Sequence, residues 1–178
     1  MSKKSIQKPT NLLDRLVEEL LRGVSLIDGL TDEIYLQANN GVGSIGAHIR
    51  HNLDFAGSFL RGLQDGEINY NSRERDIKIE QDRQYAKERF LFLIQRLKSV
   101  PDDILEKDVY VCSEVDESNW HKSTGSRELE FVHSHTVHHY ALISEKLKSF
   151  GIEVSSDFGV APSTLKFWAE RDEETKVA

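Results

Sequence analysis

The sequence predicts an all-α protein, a four-helix bundle, from three observations. Apolar residues recur at helical spacing in four long stretches, each set off by capping or turn residues. Only one stretch, 107–115, alternates like a strand or extended segment. The chain has 178 residues, 30% of them charged, and a mean hydropathy of −0.49. That suits a soluble protein with one sizeable core, and no apolar run is long enough for a membrane helix. A single domain over 1–178 is expected, with a bundle core over about 10–150 and a C-terminal docking segment over 151–171.

The first helix is read over 10–30, capped by Thr10, with Leu13, Leu16, Val17, Leu20, Leu21, Val24 and Ile27 in phase. Gly29 marks its end, Thr31–Tyr35 adds a short turn, and Asn39–Gly43 is a loop by composition. Ser44 caps a second helix from Ile45 to about Leu63, striped by Ile45, Ile49, Leu53, Ala56, Leu60 and Leu63. Residues 66–75 are polar and read as a connection. A third helix is expected from Asp76 to Ser99, stopping ahead of Pro101 because the residue before proline disfavours the α region. Its first half carries Glu80, Asp82 and Arg83 close to the apolar Ile79 and Ala86. The extended segment around Val109–Cys112 can form at most a hairpin with its neighbours. The fourth helix follows, capped by Ser126, with Glu128 near its positive end, Lys146 and Lys148 near its negative end, and Gly151 as terminator. A small helix near Ser163–Ala169 is expected to dock Leu165, Phe167 and Trp168 on the bundle, leaving Asp172–Ala178 frayed.

Charge and cysteine usage narrow the function classes. The net charge of −7 has no basic cluster within it, which disfavours nucleic acid, whose phosphates bind Lys and Arg. The basic Met1–Pro9 stretch lacks an apolar stretch behind it and is not a signal peptide. One cysteine, Cys112, rules out an internal disulfide and suits a reducing cytoplasm. The expected partners are a small-molecule substrate and, through an exposed helix face, a second copy in a homodimer, with no nucleic acid and no membrane.

Four of the seven histidines fall between His133 and His139. On a helix His135 and His139 stand one turn apart, with Cβ atoms roughly 6 Å apart, a spacing from which two imidazoles converge on one ion. They share a face with Phe131, Val132, Leu142, Ile143 and Phe150, taken here as the core face. His133 then points outward into solvent, and His138 lies at the margin. Two inward imidazoles also suit hydrogen-bonded core residues, so a third ligand on a facing helix decides the matter. The second helix offers two: His48 lies nearer the apolar stripe and His51 at its margin. Asp54, one turn beyond His51, suits a carboxylate that orients an imidazole.

With Ser44-Ile45-Gly46, then His51-x-x-Asp54, then His135-x-x-x-His139, the chain resembles the DinB/YfiT-like superfamily of metal-binding four-helix bundles. The resemblance implies a divalent metal, zinc or nickel, held by His51, His135 and His139; His48, His138 and Asp54 are kept, from their places on the two helices, as outer or alternative partners. It also implies metal-dependent chemistry of the kind run by low-molecular-weight-thiol-dependent S-transferases and isomerases. The alternatives it leaves are a metal-dependent hydrolase and a non-catalytic, metal-stabilised stress-response or binding module. Around such a centre the polar start of the third helix supplies Glu80 as a candidate general base. Arg73, Arg75, Arg83, Tyr70 and Tyr140 are the candidate substrate-binding groups. Cys112 reads as a small packed residue, and His121 has no assigned place.

Overall fold

A computed structural model describes residues 11–38 and 43–177, so the expected Thr10 cap and most of the Asn39–Gly43 loop lie outside the described residues. The elements in chain order are α1 (Leu12–Asp28), α2 (Asp32–Leu36), α3 (Ile45–Asp65), β1 (Glu67–Ile68), α4 (Ile77–Gln81), α5 (Arg83–Lys98), α6 (Asp102–Leu105), β2 (Asp108–Cys112), β3 (Trp120–Thr124), α7 (Gly125–Ser149) and α8 (Pro162–Val177). The four long helices α1, α3, α5 and α7 form the expected bundle: α1 and α3 each pack against both α5 and α7. Leu16, Leu20, Phe59, Phe90, Leu97 and Leu129 are buried at its centre. Each such side chain contributes roughly 1.5–3 kcal/mol by leaving water.

The helix starts follow the capping rule. Asn11 Oδ1 accepts from Asp14 N at 2.8 Å and Ser44 Oγ from Ala47 N at 3.0 Å, filling backbone donors that the first turn leaves open. Thr124, not Ser126, caps α7; the Ser126 hydroxyl instead donates to Leu105 O, tying α7 to α6. At its other end Gly151, at φ +73°, closes the helix, with Gly151 N–H on Lys148 O and Ile152 N–H on Leu147 O.

Four further expectations change. The third helix is two helices, broken at Asp82, whose backbone is extended (φ −131°, ψ 103°) and whose carboxylate caps α5 on Tyr85 N. The polar residues on that apolar stripe therefore mark a helix start. The extended segment belongs to a three-stranded sheet, with β2 antiparallel to β3 and parallel to the two-residue β1, where a hairpin at most was expected. The C-terminal helix runs from Pro162 to Val177, beyond the expected Ser163–Ala169 and through most of the stretch expected to fray; Phe167 and Trp168 stay 54% and 44% exposed. The tail is docked instead by Phe158, which stacks on Tyr140 at 4.7 Å beneath the Arg22 guanidinium.

The last correction concerns α7. Its buried line runs through Leu129, Val132, Thr136, Tyr140, Ile143 and Leu147. At about 100° per residue His133 lies about 60° from the middle of that line on one side, while His139 and His135 lie about 60° and 100° from it on the other. His133 is accordingly buried against α1, not solvated, and Leu142 is 40% exposed, not core. Because α7 packs on both α1 and α3, its buried arc is wide and both flanks are covered.

Candidate metal centre

The histidine flank of α7 faces the matching flank of α3. On α3, His48, His51 and Phe55 recur at three and four residues, a row about 80–140° from the Ile45–Leu63 line. The two rows meet. His51 Nε2 lies 3.2 Å from His135 Nε2, and one ring nitrogen from each of His51, His135 and His139 falls within 4.8 Å of the others. His48 Nδ1 stands 3.0 Å from His139 Nδ1. The three rings of the group are half-buried, with centroids 4.6–4.9 Å apart.

These imidazoles are held neutral. Burial lowers the pKa of His51 and His135 to about 4 and of His139 to about 3, and the neighbouring cations and imidazoles push the same way. Neutral rings keep the lone pair a metal needs. The fit is close in other respects too. Two nitrogens bonded at about 2.0–2.1 Å to a tetrahedral ion stand about 3.3–3.4 Å apart. The His51–His135 separation of 3.2 Å is near that value. His135 Nδ1 is buried without a partner, a cost unless the ring is otherwise engaged. With Nδ1 of His139 turned to His48, its Nε2 is left for an ion, the arrangement in which an outer partner fixes a ligand's tautomer. No carboxylate or thiol among the described residues joins the group.

The other candidates separate into near and remote. Phe55 supports the centre, its ring stacked on His135 at 4.0 Å and tilted against His51 at 4.8 Å. Tyr70, 2% exposed, stacks behind Phe55 at 5.0 Å and donates to Glu128 Oε2 at 3.1 Å. The Arg73 guanidinium lies 4.7 Å over the Phe55 ring, and its charge bears on both His51 and His135. His138 is exposed, edge-on to His139 at 5.3 Å. Asp54 does not reach His51; its buried carboxylate takes the Arg75 backbone N–H and faces Arg50 at 4.0 Å. Glu80 is committed to Arg50 Nε at 3.0 Å.

Three further candidates lie elsewhere. Arg75 sits at φ +51° with its side chain on Asn71 O. Arg83 ties α5 to Asp32 and to Ile27 O. Tyr140 is buried on the α1 side of α7 and donates to Glu19 O. Cys112 is buried, and His121 is exposed on β3. Sequence reasoning missed Phe55 and Lys146. The i+4 spacing from His51 signals Phe55. Lys146 repeats the His135–His139 flank two turns on and had been read only as a dipole partner. It is 7% exposed, its Nζ makes no hydrogen bond and stands 5.7 Å over the Phe150 ring, and burial lowers its pKa.

Comparison with known proteins identifies the family and the fold. Residues 15–143 match the DinB superfamily. A solved DinB-like protein from Bacillus subtilis, YjoA, superposes with a TM-score of 0.60 at 15% identity, covering 80% of this chain and 94% of that one, a likeness of fold. FK506-binding protein 5 of Rhizopus delemar is 35% identical over 103 residues, which is 56% of this chain but 27% of the relative. The match thus spans about a quarter of that relative's length.

Proposed function

Since the chain belongs to the DinB superfamily, whose members generally bind metal, we propose that it is a metal-dependent enzyme in which His51, His135 and His139 hold a divalent ion, zinc or nickel, and that it acts as an S-transferase on a low-molecular-weight thiol. The observation that carries this reading is a group of three neutral, half-buried imidazoles with no fourth protein ligand among the described residues. An ion held by such a set would keep its full charge and would supply Lewis acidity toward a thiolate, a carbonyl or water. The chain's own part is positional. Phe55 fixes the plane of His135 by stacking, and His48 fixes the tautomer of His139. In the transfer, the thiol sulfur bonds to an electrophilic carbon as the bond to its leaving group breaks, and the thiol proton passes to solvent.

The test is metal analysis of the purified protein, then cobalt substitution and assays pairing bacterial thiols with electrophiles. About one ion per chain and a thiol-dependent change in the cobalt spectrum are expected. If cobalt binds and no thiol perturbs it, the transferase reading falls and ester or amide hydrolysis becomes the chemistry to assay. A non-catalytic binding module is favoured by one observation, that the match forms a minor part of the longer FK506-binding protein. That reading expects a closed coordination sphere and a large fall in melting temperature on chelation.

A further inference from the structure

A concentration of charge lies away from the histidines, where α3 packs against α5. No run of the sequence announces it, because its members come from two helices: Arg61 from α3, Arg89 and Arg96 from α5. All three line a cavity of about 350 Å³, together with two carboxylates, Asp54 and Glu74. Asp54 is buried and turned to Arg50 and the Arg75 backbone N–H. Glu74, 51% exposed, pairs with Arg61 at 2.7 Å and reaches Arg89 only at 3.9 Å, and water screens so exposed a pair. Arg89 Nε is buried without a hydrogen bond, and Arg96 is exposed, with no ion pair among the described residues. Both guanidinium groups lie over the half-exposed Phe92 ring, at 5.0 and 5.9 Å. From Phe92 and Arg96 a second cavity of about 430 Å³ continues the groove, walled by Leu63, Val100 and Ile104 among others.

We propose that this groove is a second ligand site, for a small organic phosphate monoester with an apolar body, whose phosphate pairs with Arg89 and Arg96 and whose body lies against Phe92. It stands apart from the metal and thiol reading above. In a chain of net charge −7, two guanidinium groups gathered over one ring without a close carboxylate are a local excess of positive charge. A phosphate monoester carries close to two negative charges at neutral pH and balances both, where a monocarboxylate balances one. The guanidinium fork also matches phosphate oxygens two at a time. The adjoining cavities are of the size that small molecules fill, and their lining passes from charged to apolar, as an amphipathic ligand requires.

The experiment is calorimetric titration of the full chain at low salt with phenyl phosphate, inorganic phosphate and phenylacetate, with and without chelator. Phenyl phosphate is expected to bind at least about ten-fold tighter than either other probe, equally in chelator. Arg96→Met, a change at an exposed position, should weaken phenyl phosphate about ten-fold and Arg96→Lys less, while Lys166→Met on α8 leaves it unchanged. Phe92→Ala should weaken phenyl phosphate and leave inorganic phosphate as it was. Equal binding of the three probes, or an Arg96→Met protein that binds phenyl phosphate like wild type, overturns the assignment. Binding that chelator abolishes overturns it too, by placing the phosphate at the histidines. A dimer in sedimentation that Arg96→Met dissociates does the same, by giving the groove to a second copy of the chain.

Discussion

The two flanks of α7 make the most instructive comparison in the molecule. Both are buried in part, both carry histidine, and each lies beside a tyrosine that the sequence marked as a candidate. On the α1 flank the polar groups end in the protein itself. The Tyr140 hydroxyl rests on Glu19 O and its ring on Phe158, and Arg22 bridges Glu19 and Asp157. A buried atom left open there, Glu19 Oε2, belongs to a carboxyl whose pKa burial raises toward the neutral form. On the α3 flank the polar groups point at one another. Imidazole nitrogens stand 3.0 and 3.2 Å apart, and His135 Nδ1, Arg73 Nε and Lys146 Nζ are buried without hydrogen bonds. Unpaired buried polar atoms cost stability; three of the seven among the described residues border the histidine row, the others being Glu19 Oε2, Nδ2 and Oδ1 of Asn52, and Arg89 Nε.

The sharpest break between the flanks is metal content. Replacing His51, His135 or His139 with Ala should lower metal affinity at least about 100-fold and leave dialysed protein nearly empty, as measured by elemental analysis. His133→Gln, on the other flank, should leave metal content unchanged while lowering the melting temperature. His48→Phe should fall between, losing about 10–100-fold in affinity, because it removes the partner of His139 Nδ1 and no ligand. Equal effects at His133 and His135 would erase the distinction.

The pH response of the chelated protein follows from the lowered pKa values, about 4 for His51 and His135 and about 3 for His139. Unfolded histidines titrate near 6.5. As pH falls from about 6.5 to about 4, the unfolded chain takes up protons that the folded chain does not, so stability declines through that window. Melting temperatures at pH 7, 6 and 5 should fall in order, and less steeply in His139→Gln than in wild type. A flat profile would mean that the rings are not held neutral.

The bundle was legible because an apolar period of 3.6 residues survives in all four long helices. The Asp82 break was not, since an aspartate on an apolar stripe reads equally as a surface residue, a site group or a cap until the backbone is seen. Nor was β1: two residues, Glu67 and Ile68, carry no period, and their parallel pairing to Tyr110 and Val111 is long-range. On α7 the phase was anchored on the histidine pair. Anchoring it on Leu129, Tyr140 and Leu147 would have placed His133 inside and Leu142 outside. On α3 periodicity favoured His48, and a row one flank away from the core carried both candidates. Arg73 could be named, but its distinction from Arg75 and Arg83 depends on contacts across 4 to 56 residues of sequence.

The smallest effects test the comparison at the level of one hydroxyl. Tyr70→Phe and Tyr140→Phe delete the same atom from equally buried rings, 2% and 0% exposed. Tyr140 donates to a backbone carbonyl, so its loss should cost about 0.5–1.5 kcal/mol, the worth of an ordinary hydrogen bond. Tyr70 donates to the carboxyl of Glu128, itself 8% exposed, whose other oxygen has only Ser123 Oγ at 2.7 Å. Its loss should cost about 1.5–3 kcal/mol, because a bond to a charged acceptor is stronger and that acceptor is left less satisfied. Denaturant unfolding of the two variants, in chelator, measures both. A larger cost at Tyr140 than at Tyr70 would show that the α1 flank, not the α3 flank, holds the more exacting polar network.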